Sequence, residues 1–233
     1  MIAGLRSIAA MAAVVAALIS GGVARAERKP TVAVLYFDYT GKDEDLAVLR
    51  KGLAQMMISD LSSLDAVQLV ERDRLEEVLV ELKLGQSGKI DAATAARAGK
   101  LLGARYMILG GYFDLQGTLR VDARVVEVET GKVIQSVGTS GKPDDFLTVE
   151  QKLVGDIATV LGKQLSLAPP ASPPVPRVQP PAKLARRTAV LYSRALHDLD
   201  TGNKPRAKQQ LQQVVKQQPD FKLAMVDLDK LMQ

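Results

Sequence analysis

Residues 106–140 read YMILGGYFDLQGTLRVDARVVEVETGKVIQSVGTS, and this stretch decides the fold. Tyr106 to Tyr112 is a continuous apolar run, the pattern of a strand covered on both faces and therefore central in its sheet. Within it, Gly110-Gly111 marks a place of close packing or a bulge. After Asp114 the pattern becomes antiparallel. Leu119, Val121, Ala123 and Val125 alternate with Thr118, Arg120, Asp122 and Arg124, so one face is buried and the other wet. The phase then slips, because Val126 and Val128 take the apolar parity beside Glu127 and Glu129, and a β-bulge near Val125 and Val126 accounts for the slip. Thr130-Gly131 is a turn signal, and Lys132 to Thr139 returns as the hairpin partner.

Upstream, Thr31 to Phe37 is another unbroken apolar run and reads as the first strand. From Glu44, Leu46, Leu49, Leu53, Met56, Met57, Leu61 and Leu64 recur three or four apart, which predicts one long helix with one apolar face. Ala66 to Val70 is a short second strand. Asp73 with Glu76 has the spacing of a D-x-x-E capping box, and Leu75, Val78, Leu79 and Leu82 form the buried stripe of the helix it opens, which Gly85 and Gly88 break. Asp91 caps a further helix through Leu102, with Gly99 and Gly103 marking its end. Downstream, Phe146, Val149, Leu153, Ile157, Val160 and Leu161 give a last amphipathic helix. The expected fold is α/β, a mixed sheet with packed helices, followed by a small α-helical C-terminal unit.

The ends of the chain have different characters. Arg6, the apolar run Ile8 to Ile19, Gly21-Gly22 and the site Ala24-Arg25-Ala26 form a secretory signal peptide, residues 1–26, cut after Ala26. The run is too short to cross a bilayer as a mature helix, and no later stretch is long and apolar enough. An α/β domain occupies 27–166. Seven prolines between Pro169 and Pro181 make 167–182 an extended linker, and 183–233 forms the helical unit. There, Ala195, Gly202, Ala207, Leu211, Val215 and Pro219 have the spacing of one tetratricopeptide unit, with a turn at Gly202-Asn203 and Pro205 in the first turn of the second helix. Asp198 departs from that motif where an aromatic is usual. A single repeat buries little alone, so it needs something to dock on: the main domain, another copy or a partner.

Composition narrows the function classes. With no cysteine, stability must come from an ordinary core rather than disulfides, and lipidation at an N-terminal cysteine is excluded. Trp is absent and aromatics are 4%, which removes the stacking surfaces nucleic-acid binders use, despite a net charge of +5. That charge is uneven. From Arg177 onward there are 11 basic and 5 acidic residues, net +6; the mature chain totals +3, so Glu27 to Pro176 is at −3. Arg186, Arg187, Arg206 and Lys208 are therefore candidate partner-binding residues, with a solvated helix face as the ordinary alternative.

Several strings carry a family resemblance. Val32 to Phe37, Leu69-Val70-Glu71-Arg72 with Leu75 and Glu81-Leu82, Gly99-Lys100-Leu101-Leu102-Gly103-Ala104, and above all the hairpin from Ala123 to Ile134 continued through Ser140, resemble the CsgG family of curli-type secretion proteins over residues 31 to 163. The resemblance implies a periplasmic α/β domain, also similar to the N-terminal domain of TolB, which in family channels assembles into a ring supporting a pore. This chain departs in lacking a cysteine to acylate and in the two places where the channels carry membrane hairpins. The intervals Asp114–Gly117 and Gly141–Asp145 are shorter than the 9–11 residues, roughly, of one membrane strand.

No residue set reads as catalytic, cofactor-binding or metal-binding. His197, flanked by Asp198 and Asp200, has neither a second histidine nor a cysteine to complete a zinc site. Gly138-Thr139-Ser140-Gly141-Lys142 lacks phosphate-loop spacing and has Pro143 where the hydroxyl belongs, so it reads as a turn. Glu71-Arg72-Asp73 is either a polar binding spot or, with Asp73 as a cap, structural. The expectation is a non-enzymatic accessory or assembly factor of an envelope secretion system, soluble in the periplasm or peripheral to the outer membrane through a partner. Its partners would be envelope proteins or further copies in a ring. A periplasmic regulator of cell-wall synthesis enzymes is the alternative; those activators resemble the same domain, but their proline-rich linker precedes it. An enzyme ranks third.

Overall fold

The computed structural model describes residues 29–83, 90–167 and 178–233. The expected signal peptide with Ala26, the glycines Gly85 and Gly88, and the prolines from Pro169 to Pro176 lie outside the described residues.

The strands are β1 (Thr31–Val34), β2 (Asp38–Tyr39), β3 (Gln68–Leu69), β4 (Tyr106–Leu115), β5 (Thr118–Glu127) and β6 (Val133–Gly141). They form one sheet in the order β3-β1-β4-β5-β6, with β2 also on β4. Pairing is parallel among β3, β1, β2 and β4, and antiparallel from β4 to β6, so the sheet is mixed as expected. The helices are α1 (Glu44–Val48), α2 (Arg50–Leu61), α3 (Arg72–Glu81), α4 (Ala92–Leu102), α5 (Phe146–Gln164), α6 (Arg186–Asp200), α7 (Lys204–Gln217) and α8 (Lys222–Met232).

Both faces of the sheet are covered, by different helices. Val32, Val34, Tyr106, Ile108, Leu119, Val121, Ala123 and Val125 point into one core with α1, α2 and α5. Ala33, Leu35, Met107, Leu109, Val126 and Val128 point into a second core with α3 and α4. This arrangement corrects the reading of the phase slip. The β4–β5 register runs without interruption from Tyr106↔Glu127 to Leu115↔Thr118, so β5 itself is regular. Val126 becomes apolar because α4 covers that half of the face, which lies open over Arg120, Asp122 and Arg124. A register shift does occur at Val125/Val126, but the extra residue is Ile134 on β6.

Other boundaries also moved. The first strand ends at Val34 and resumes as β2, because Phe37 turns inward across Gly110, where a Cβ would collide with its ring and with the Asp122 carbonyl. The expected long helix from Glu44 is two helices meeting at Leu49; Asp43 caps α1, and Arg50 reaches the Phe37 carbonyl and Asp38. At α3 the N-cap position is Glu71, with no side-chain cap bond, so the Asp73 capping box does not form. Asp73 instead accepts from Arg72, while Glu76 accepts from Tyr36 and Lys51. Asp91 does cap α4, accepting from the Thr94 N–H at 2.7 Å, and Gly103 closes it in the left-handed conformation at φ 63°.

The C-terminal helices pack on the α/β domain. α6 lies along α1 and α2, and Leu184, Val190, Tyr192, Leu196, Leu211, Phe221 and Leu223 belong to the same core as β1 and α2. α2 is consequently covered on both sides, which is why Gly52, Ala54, Gln55 and Ile58 are buried together with the face that meets the sheet.

Candidate protein-interaction surface

The joint between the α/β domain and the C-terminal helices is built from charges that the sequence separates widely. Arg72, at the start of α3, donates to Asp200, at the end of α6, at 2.5 Å; both side chains are almost fully buried. Lys51 of α2 also pairs with Asp200 and, at 3.2 Å, with Glu76, which accepts from the Tyr36 hydroxyl at 2.5 Å. Burial and that acceptor both push the Tyr36 phenol far above its ordinary value. Within the Glu71-Arg72-Asp73 cluster, Arg72 is thus part of the joint, while Glu71 and Asp73 are exposed. On the tail side, the Tyr192 hydroxyl donates to Asp227 at 2.6 Å, and its ring meets Phe221 edge-on.

The four candidate cations do not form one patch. α6 and α7 are antiparallel, with Thr188 opposite Gln217 at one end and Asp198 opposite Arg206 at the other. Arg186 and Arg187 therefore sit at one end of the hairpin and Arg206 and Lys208 at the other, separated by roughly 20 Å of helix. Arg186 ties the start of α6 to the main domain, donating to Asp43 at 2.8 Å. Arg206 lies 3.4 Å from Asp198, while Arg187 and Lys208 are exposed. Asp198, which departs from the tetratricopeptide pattern, is itself buried.

His197 is exposed, and its acidic neighbours are directed elsewhere, Asp198 to Arg206 and Asp200 to Arg72 and Lys51. The Gly138–Lys142 string is not a turn: its first four residues are the end of β6, and only Lys142 leaves the strand. On the uncovered half of the second sheet face, Gly110, Gly111 and Gly138 floor a groove of about 630 Å³ walled by Asp38, Arg120 and Arg124. The connections where family channels carry membrane hairpins are short. Gln116 and Gly117, at φ 49° and 77°, make a tight two-residue turn between β4 and β5, and β6 is followed directly by Lys142 and a 3₁₀ turn from Pro143. Among the described residues, no helix is long and apolar enough to cross a membrane.

Residues 17–118 match the family model described as curli production assembly/transport component CsgG. Over those residues the chain is similar to that family. The matched region runs from residue 17 through β4 and stops before the Ala123–Ile134 string that carries the clearest part of the resemblance. No curated protein matches the chain in sequence. The similar solved structures are distant in sequence. The LpoB C-terminal domain from Salmonella enterica is 16% identical, covering 55% of this chain and 92% of that one, with a TM-score of 0.41. Lipoprotein GNA1162 from Neisseria meningitidis is 14% identical, covering 59% and 98%, at 0.41. The PelC dodecamer from Paraburkholderia phytofirmans is 15% identical, covering 57% and 87%, at 0.35.

One feature of the α/β domain leaves almost no trace in the sequence. Glu150, on the face of α5 that meets α1 and α2, is 1% exposed, and neither carboxylate oxygen has a partner. Burial raises it well above the ordinary carboxylate range, and Asp60 across on α2 adds to the shift. Asp60 is itself lifted to about 6 by burial. Glu150 falls between Val149 and Leu153 of the apolar stripe, and a polar residue at that phase was the only signal available.

Proposed function

We propose that this chain is a periplasmic, non-enzymatic accessory or assembly component of an envelope secretion or transport system, working through protein–protein contacts. The match of residues 17–118 to the CsgG model carries the reading, since that family is described by assembly and transport. Export is supported by the leader pattern from Arg6 to Ala26. The docked C-terminal helices add a surface of their own, on which Arg187, Arg206 and Lys208 are the partner-facing cations and Arg186 holds the hairpin in place.

The test is affinity capture of the mature chain from envelope extract at low and high salt, with the bound proteins identified by mass spectrometry. Salt-sensitive retention of secretion or transport components, lost on reversing Arg187, Arg206 and Lys208 to Glu, is the expected result. Retention of peptidoglycan synthases instead would turn the assignment to the regulator reading.

A further inference from the structure

The sheet has two ends, and they are unequal. At one end β3 contributes two paired residues; at the other β6 runs for nine, Val133 to Gly141, paired with β5 alone among the described residues. Edge strands of soluble proteins are ordinarily blunted by lysine, proline, an inward charge or brevity. β6 has none of these: VIQSVGTSG contains no charged residue and no proline, and Val133, Gln135, Ser136 and Ser140 are exposed. Its one irregularity, Ile134, lies near its start, leaving Gln135 to Gly141 as a regular edge whose outer side pairs with no strand among the described residues.

We propose that β6 joins two copies of this chain, edge to edge and antiparallel, into one continuous sheet. The unequal edges select the occupant. A head-to-tail sheet would have to place β6 against β3 of the next copy, and two residues cannot template nine. Among the described residues, the only edge that matches β6 in length is another β6. Such a contact uses the same surface on both partners and closes at two copies instead of growing into a filament. Because the strand is uncharged, two of them meet without repulsion across the axis. Lys29, the first described residue, lies in a groove with Gln68 and Leu69 of β3, at the edge opposite β6. The proposal deepens the accessory reading by naming a second copy as one of its partners, and it rests on that reading only for its biological purpose.

Two measurements on the mature full chain test it. Sedimentation equilibrium at micromolar concentration should give twice the monomer mass. The double variant Gln135→Lys/Ser136→Lys, which sets like charges across the axis on exposed positions, should give one copy with an unchanged thermal melt. A wild-type chain that stays monomeric, a double variant that stays dimeric, or a mass above two copies would each overturn the two-fold arrangement. The second measurement holds even if the lysine variant misfolds. The chain has no cysteine, so single cysteines at Gln135, Ser136, Val137 and Ser140 can be oxidised cleanly, with Thr159→Cys on α5 as control. Disulfide dimer should peak at one strand position and fall away from it, because in an antiparallel two-fold pair only residues near the axis meet their own copy. Yields no higher than the control would sink the proposal. A chain that dimerises this way yet retains no envelope protein would instead refute the accessory reading alone.

Discussion

Gly52 of α2 lies so close to Ser193 of α6 that a Cβ on Gly52 would overlap the serine hydroxyl. The contact is the crossing point of the helix that covers the sheet and the helix that carries the C-terminal unit. Gly52→Leu should push α6 outward at a cost of about 1–3 kcal/mol, with Tm falling about 2–4 °C per kcal/mol for a chain of this size. Thermal denaturation measures the loss. Gly52→Ala combined with Ser193→Gly should recover part of it, and equal loss in the two variants would contradict a steric origin.

Asp200 is shared by two cations, which makes its removal worse than that of either. Asp200→Ala leaves both Arg72 and Lys51 without it, whereas Arg72→Ala leaves Asp200 still paired with Lys51. Breaking a buried pair costs about 3–5 kcal/mol, so Asp200→Ala should reach that range in urea denaturation and Arg72→Ala should fall below it. A double-mutant cycle should give a large coupling energy; additivity would mean that the joint contributes little.

Glu150 sets the direction of the pH dependence. Its folded pKa is raised, so between the unfolded value, about 4.3, and its folded one the native state holds the extra proton. Stability therefore falls as pH rises through that window, and Asp60 adds to the fall from about 4 toward about 6. Glu150→Gln removes the ionisable group and should raise Tm at pH 7 while making little difference at pH 4. A variant equally stabilised, or destabilised, at both would show that the carboxyl is not the cause.

The purified mature chain should carry no current in planar bilayers. The β4–β5 turn has two residues and the exit from β6 leads straight into a 3₁₀ turn, against roughly 9–11 residues for each membrane strand. Steady, protein-dependent currents would overturn this expectation. N-terminal sequencing of the exported form should begin at Glu27, and recovery of intact Met1 would mean that Ala26 is not a cleavage site.

The sequence by itself determined the elements that local chemistry governs. The wet and dry parities of β5 gave the hairpin, Asp91 and Gly103 marked the ends of α4, and Gly202, at φ 78°, placed the turn between α6 and α7. Each depends on hydrogen bonds or dihedral angles within a few residues, which composition and spacing report directly. Tertiary structure alone decided what covers each surface. Val126 looked like a slipped phase because periodicity records that a side chain is buried, not that α4 shields only half of a face. The prolines left open whether the C-terminal unit docks on the main domain, another copy or a partner; tertiary structure placed α6 on α2, through contacts such as Arg72 with Asp200 that lie 128 residues apart and that no local pattern links. Apolar residues on both sides of α2 were the visible trace of that docking, and Glu150 became an orphan acid only when α5 closed against α1 and α2.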